Sequence, residues 1–258
     1  MSKTKPQMIE ASIDPEPFAQ YLNAVSGLVD EAKVHIGPDG LRTEAVDPAN
    51  VAMVAVELDA DAFETAPTTE HTFGAYITRL LDILPREYGT VDLTYDPNQQ
   101  KLDIRAGPYS YTYNALDPEN VRKEPDLPDM DLNFEGTINS DLLKEAIEWF
   151  DHYTTHVRMG YDPVDQRFWM DAMERDRKGD PKTDDGGFSL DRAQLDGVEQ
   201  VGEANSHFSM DYLRERVDVF PEDTQVTLRV GKEFPMNMFY GIENGEVEFM
   251  MAPRIQSD

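Results

Sequence analysis

The same helix ending occurs twice in this chain, about half a chain apart. The segments are "YITRLLDILP" at 76–85 and "YLRERVDVFP" at 212–221. In register they pair Tyr76 with Tyr212, Ile77 with Leu213, Leu81 with Val217, Asp82 with Asp218, Ile83 with Val219 and Pro85 with Pro221. Self-similarity at a fixed offset is the mark of an internal repeat, so the sequence predicts a duplicated fold.

The order of elements agrees between the two halves. Apolar spacing predicts four helices, with Ser140 as the N-cap of the third, at 14–30, about 73–86, 140–153 and 209–220. Alternating apolar residues predict strands between the helices and three strands after the second helix of each half. Each half therefore reads as helix, strands, helix and three strands, and the fold class is α+β with duplicated domains.

A proline-rich segment separates the halves. Residues 117–131 contain three prolines and alternating acids, which exclude a helix and disfavour a central strand. The predicted organisation is an N-terminal domain at 1–116, this connector, and a C-terminal domain at 132–258. Val121, Leu127 and Met130 make the connector more apolar than an ordinary linker. They form a docking edge for a partner, or they pin the connector to its own domain.

Composition limits the class of protein. The apolar fraction of 40% can supply a core, and the absence of cysteine removes disulfides and thiolate sites. No apolar run approaches the roughly 20 residues that span a bilayer, and the first residues lack the pattern of a signal peptide. We therefore expect a soluble intracellular protein without membrane contact.

The net charge of −28, from 51 acidic and 23 basic residues, is the unusual feature of the composition. Such an excess opposes compaction in dilute buffer, whereas molar salt shortens the Debye length to about 3 Å and screens the repulsion. The composition favours a salt-rich cytoplasm over the alternative, an ordinary acidic protein.

Motifs for catalysis are missing from the sequence. There is no phosphate-binding glycine loop of either common type. His152 and His156 have the spacing of paired zinc ligands, yet the glutamate of that motif is absent, which favours surface histidines. The acidic stretches at 126–131 and 179–187 lack the calcium-loop pattern. We expect no enzyme activity, no cofactor and no metal.

Three segments together resemble the PCNA family of DNA sliding clamps. They are "LRTEAVDPANVAMVAVEL" at 41–58, the connector with "DLP" at 126–128, and "GEVEFMMAPRIQSD" at 245–258. With the charge, the chain resembles an archaeal, halophilic member. The resemblance implies domains of the processivity fold, with curved antiparallel sheets outside and two helices per domain inside. It also implies a trimer that closes head to tail into a six-domain ring around duplex DNA.

The same resemblance implies three sets of site residues. The set for binding partner motifs is Val46, Asn50, Val51, Met53, Val121, Leu127, Pro128, Pro235, Met250, Ala252, Pro253 and Ile255. The set for the subunit interface is Tyr109, Tyr111, Tyr113, Gly187, Phe188 and Leu190. The tyrosines share one strand face, and packing within their own sheet is a compatible reading.

The third set, for weak DNA contact, is Arg79, Arg86, Lys144, Arg214 and Arg216. These are the five bases in the helical spans 14–30, 73–87, 141–153 and 209–220, which also hold twelve acids. Phosphate contacts weaken steeply with salt, so we expect the ring to be retained by topology. Arg79 can instead serve the subunit contact.

The predicted function is that of a processivity factor. The expected partners are encircled double-stranded DNA, DNA polymerase, clamp loader, flap nuclease, ligase and two further copies of the chain. The expected location is the cytoplasm, at the nucleoid. The alternative is an acidic scaffold of duplicated α+β domains that binds proteins and not DNA.

Overall fold

The computed structural model describes residues 8–125, 130, 132–172 and 186–254. The chain divides into two compact units. The first takes its residues from 1–47, 54–125 and 242–247, and the second from 48–53, 126–241 and 248–258. No helix in the described ranges is long and apolar enough to cross a membrane.

The described residues contain four α-helices, two in each unit. They are α1 (Pro15–Ser26), α2 (Ile77–Ile83), α3 (Ser140–Asp151) and α4 (Met210–Val217). The strands before residue 120 are β1 (Ile9–Ile13), β2 (Glu31–Gly37), β3 (Gly40–Val46), β4 (Ala52–Asp59), β5 (Phe63–Thr65), β6 (His71–Tyr76), β7 (Val91–Asp96), β8 (Lys101–Ala106) and β9 (Tyr109–Asn114). The later strands are β10 (Phe134–Asn139), β11 (His156–Asp162), β12 (Arg167–Ala172), β13 (Gly187–Asp191), β14 (Gly197–Val201), β15 (Ala204–Ser209), β16 (Gln225–Val230), β17 (Met236–Ile242) and β18 (Gly245–Met251).

The predicted duplication is confirmed, and each half is itself a repeat. One strand, one helix and three strands occur in that order four times, beginning at β1, β6, β10 and β15. The short strands β5 and β14 occupy corresponding places, since β5 pairs with β1 and β14 pairs with β10. The repeated helix ending lies in α2 and α4, the second helix of each half.

Each unit contains antiparallel β-sheet strands in two sheets. In the first unit one sheet has the order β5-β1-β7-β8-β9, and the strands β4-β3-β2-β6 lie side by side in the other. In the second unit the order β13-β12-β11-β15 forms one sheet, and β14-β10-β16-β17-β18 lie side by side. Within the part of the chain that is described, β9 and β13 are each the outermost strand of their sheet.

The second predicted helix was placed too early. Residues 71–76 form β6, which pairs along its length with β2, and α2 begins only at Ile77. Phe73 and Ala75 are buried on one face of the strand, and Gly74 between them is covered on the other face by Val121 and Leu116. The apolar residues before Ile77 thus belong to a period of two, which the short window did not separate from a helical period.

Local capping explains where α1 and α3 begin. The Asp14 side chain accepts a hydrogen bond from the Glu16 N–H at 3.0 Å, and Pro15 occupies the first helical turn. The N-cap of α3 is Asn139, which accepts from the Asp141 N–H at 2.9 Å. The prediction of Ser140 as the cap is wrong, because Ser140 lies inside the helix and its hydroxyl donates to the Pro221 carbonyl at 2.9 Å.

Candidate functional site

The tip of the β3–β4 hairpin meets the C-terminal segment in the second unit. The Ala252 N–H donates to the Val51 carbonyl at 2.8 Å. Asn50, at φ 57°, and Val51 form the tip of the hairpin, and Met53 follows on β4. Pro253 continues the segment after β18, so hairpin and C-terminal residues of the predicted partner site come together.

Exposure divides the predicted partner-site residues. Asn50 is exposed, and Val51, Met53, Pro235, Ala252 and Pro253 are half-exposed. Val46, Val121 and Met250 are buried and so present little surface to a partner. Leu127, Pro128 and Ile255 lie outside the described residues.

The position of Val121 shows whether this apolar residue of the connector docks a partner or pins the connector to its own domain. A Cβ added at Gly74 of β6 would lie 2.6 Å from Val121 Cγ2 and 2.8 Å from Leu116 Cβ. Backbone hydrogen bonds join Gly74 to Leu116 in both directions. The start of the connector is therefore pinned to its own unit through Val121. The Glu124 carboxylate adds a hydrogen bond with His35 Nε2, and His35 Nδ1 lies 2.8 Å from Thr72 Oγ1.

The tyrosines of edge strand β9 differ strongly in exposure. Tyr109 is 57% exposed, Tyr111 is half-exposed and Tyr113 is fully buried. The Tyr113 hydroxyl accepts from the Tyr76 N–H at 2.7 Å, which ties it to its own unit. Arg79 donates to the Tyr111 hydroxyl at 2.6 Å. Tyr109 and Tyr111 thus remain available at the edge, whereas Tyr113 belongs to the core.

Edge strand β13 shows the same division in the second unit. Gly187 is exposed and Phe188 half-exposed, whereas Leu190 is 5% exposed and belongs to the core. An aromatic group not singled out in the sequence lies beside this strand. A Cβ added at Gly186 would lie 2.3 Å from the Tyr153 hydroxyl and 3.1 Å from Trp149 Cη2. Trp149 is 46% exposed, and burial raises the pKa of Tyr153 to about 12.

In the second unit, the basic side chains Lys144 of α3 and Arg214 of α4 form ion pairs with acidic side chains on or directly after these two helices. Lys144 Nζ lies 3.6 Å from Asp218 Oδ1. Arg214 lies 3.5 Å from Glu148 and 4.0 Å from Asp151, and it also pairs with Asp218. These are exposed or half-exposed pairs, each worth about 1 kcal/mol or less. Their electrostatic effect is to leave the α3–α4 surface with an excess of acid.

Arg216 corrects the prediction of five DNA-facing bases. Its side chain is fully buried, donates to the Tyr240 hydroxyl at 2.9 Å and lies 4.8 Å from the centre of the Phe249 ring. It therefore has no path to a phosphate. The two bases of the first unit, Arg79 and Arg86, are both exposed, and Arg79 also lies 5.9 Å from the centres of the Tyr111 and Tyr113 rings.

A metal centre is not formed by the described residues. No group of three or more His, Asp or Glu side chains among them is arranged to hold an ion. His152 and His156, four apart in sequence, separate at the end of α3: His152 caps the helix and His156 begins β11.

Four repeated β-α-β-β-β motifs, in halves that each carry two helices and an open outer strand, define the class of DNA sliding clamp subunits. The comparisons with known proteins agree. The family model for the N-terminal domain of proliferating cell nuclear antigen matches residues 8–92. DNA polymerase sliding clamps of Natronomonas pharaonis and Haloarcula marismortui are 40% and 38% identical over 97% of this chain and 100% of theirs.

Solved structures share the whole fold. A. fulgidus PCNA, solved with the C-terminal region of FEN-1 bound, has a TM-score of 0.85 at 29% identity, over 97% of this chain and 100% of that one. PCNA from Thermococcus kodakaraensis has a TM-score of 0.82 at 19% identity, over 95% and 100% of the two chains, and shows the fold alone. The chain belongs to the PCNA family of DNA polymerase sliding clamps.

Proposed function

We propose that this chain is a homotrimeric processivity ring that encircles duplex DNA. The observation that carries the proposal is the pair of open strands, β9 in the first unit and β13 in the second. Two different edges on one subunit are what a head-to-tail interface needs, and such an interface gives a ring when its rotation closes. Exposed Tyr109 on β9, and exposed Gly187 with half-exposed Phe188 on β13, support pairing of these two edges between subunits.

The proposed partner site is the surface at Asn50, Val51, Met53, Pro235, Ala252 and Pro253. A mixed surface with half-exposed apolar groups suits short segments of partner proteins, and the methionine can adjust to several of them. The bound FEN-1 segment on the A. fulgidus relative supports this use. The proposed partners are DNA polymerase, a clamp loader, a flap nuclease and ligase.

Direct DNA contact is proposed to be weak. Lys144 and Arg214 are engaged by helix acids, Arg216 is buried, and Arg79 lies against tyrosines at the sheet edge. In molar salt the release of counterions adds little to phosphate binding. A closed ring needs no such binding, because its retention is topological. We also propose that the chain catalyses nothing, and that a separate loader opens the ring.

The proposed domains are 1–116 and 132–258, joined by the connector at 117–131. The described start of the connector belongs to the first compact unit up to Pro125, which supports a connector fixed at its first end. The proposed location is the salt-rich cytoplasm at the nucleoid, supported by the net charge of −28.

Retention on DNA tests the proposal. Rings loaded by the cognate loader onto nicked circular DNA are expected to stay bound through gel filtration in molar KCl. Cutting the circle once should release them, since a linear molecule has free ends. The control is the same DNA with chain added but no loader. Equal retention on circular and linear DNA would contradict retention by topology.

A further inference from the structure

The C-terminal segment 252–254 is held in the second unit by two backbone hydrogen bonds. The Ala252 N–H donates to Val51, and the Arg254 N–H donates to the His207 carbonyl, each at 2.8 Å. Two residues of the proposed partner site, Ala252 and Pro253, lie in this segment. Whatever fixes Arg254 therefore also fixes part of the surface that partners would meet.

The Arg254 side chain lies against the imidazole of His156. Its Nη1 atom is 2.9 Å from His156 Nε2 and 3.1 Å from Nδ1. His156 is half-buried at the start of β11, and Thr155 Oγ1 lies 2.9 Å from its Nδ1. A guanidinium stays protonated at any pH a protein survives. Contact at this distance therefore favours a neutral imidazole over a charged one.

The surroundings of His156 favour that neutral form. Burial and then the Arg254 charge lower the pKa of His156, and neighbouring His207 lowers it further. Asp211 on α4 acts in the opposite direction. The balance is a lowered pKa.

His207, whose carbonyl accepts the Arg254 N–H, is in a similar position. Burial lowers its pKa first, followed by the charges of Arg158 on β11 and of Arg254, while Glu233 opposes them. The Arg158 charge is itself shared with Asp171 on β12, 3.0 Å away. The half-buried His156 ring thus contacts the Arg254 side chain, while half-buried His207 holds the Arg254 backbone and its ring lies within reach of the Arg254 charge.

We propose that His156 and His207 are pH-dependent positioning residues that hold segment 252–254 when neutral and release it when protonated. This inference rests on the proposed partner site. When His156 gains a proton, a positive charge appears in contact with the Arg254 guanidinium, protonation of His207 adds to the repulsion, and the segment that carries Ala252 and Pro253 is pushed away. Partner binding then weakens because part of its surface is displaced.

The direction with pH follows from the lowered pKa values. A histidine whose pKa is lower when the segment is docked favours docking where it is neutral, above its ordinary pKa of about 6.5. That contribution is lost as the pH falls from there through the docked-state value. Molar salt does not abolish the effect, because the charges meet at contact distance, which is about one Debye length.

Binding of a FEN-1 C-terminal peptide at fixed molar KCl tests the inference. From pH 7.5 to 5.5 the Kd on the native chain should rise about fivefold or more, the lower range of a typical coupling between sites. In the double variant His156→Gln, His207→Gln, the Kd values at pH 5.5 and pH 7.5 should differ by no more than about twofold. The control is His152→Gln, an exposed histidine at the end of α3, which should keep the native pH profile. An unchanged profile in the double variant would overturn the inference.

A second measurement separates this inference from the proposed function. Histidines labelled at Cε1 can be titrated by NMR without any peptide, with His156→Gln and His207→Gln assigning the signals. Both should titrate below the ordinary pKa, and Arg254→Gln should raise the pKa of His156. If His156 has the same titration curve in the native chain and in the Arg254→Gln variant, the proposed pH-dependent hold on segment 252–254 is wrong. If the peptide binds at no pH, the proposed partner site is wrong. The NMR titration still tests whether His156 and His207 hold segment 252–254.

Discussion

At the scale of single residues, Arg214 and Arg216 show what a sequence leaves open. They are two positions apart on α4, which turns them about 200° from each other around the helix axis. Arg214 meets acids of α3 at the surface, whereas Arg216 is fully buried against Tyr240 and Phe249. Both are arginines in one helix, and the sequence alone predicted the same role for both. The spacing puts the two side chains on opposite faces of the helix, but which face packs against Tyr240 and Phe249 is decided by tertiary contacts that the sequence does not show.

The two arginines should respond differently to substitution. Arg216→Ala removes a large buried side chain and leaves a cavity, so it should lower the free energy of unfolding by about 2–5 kcal/mol. Arg214→Ala removes exposed pairs and should cost about 1 kcal/mol or less. Urea unfolding in molar KCl, at one protein concentration, measures both. Similar small losses for the two variants would show that Arg216 is not a core residue.

At the scale of elements, the connector start is a strap pinned over β6. Val121 and Leu116 close over Gly74, and Glu124 pairs with His35. The sequence predicted an extended connector without a helix, whereas Pro118–Asn120, in its described part, form a short 3-10 helix that Asp117 caps. It left open whether the apolar residues of the connector dock a partner or hold the strap. Val121 holds the strap on its own unit, and it can do so because Gly74, distant in sequence, has no side chain. Leu127 and Pro128 remain predictions.

Gly74→Ala should loosen this strap. The added methyl would lie 2.6 Å from Val121 Cγ2 and 2.8 Å from Leu116 Cβ, so both must move. We expect a loss of about 1–3 kcal/mol in stability, as for other overpacked sites, and faster amide hydrogen exchange at 117–125. The control is Gly89→Ala, where an added Cβ meets nothing within 4 Å. Equal exchange in the two variants would contradict the pinned strap.

The repeat could be predicted from the sequence because it is a pattern of residue types along the chain, which does not depend on knowing the tertiary contacts. Each segment starts with a tyrosine and closes with a proline beyond the helix. The structural repeat aligns Ile77 with Met210, the first residues of α2 and α4, so Tyr76 and Tyr212 match in sequence and not in structural position. The boundary of α2 was not readable, since Phe73 and Ala75 fit a helix and a strand equally well until β2 is known to lie alongside. Pairing partners distant in sequence decide such cases.

At the scale of the whole molecule, the proposed function depends on assembly. The net charge of −28 on each chain opposes association unless salt screens it, and the open strands β9 and β13 favour it. The exposed aromatic residues beside those strands, Tyr109 and Trp149, add a contribution that salt does not screen. The balance predicts a trimer at high salt that weakens as salt is removed.

The mass in solution, measured by light scattering in multimolar KCl and again at low salt, tests this most directly. We expect a mass near three chains at high salt and a lower mass at low salt. Tyr109→Glu should shift the high-salt mass toward one chain, whereas Phe234→Ser, which alters an aromatic of similar exposure (56% against 57%), should not. A native chain that stays monomeric at every salt and protein concentration would contradict the closed ring.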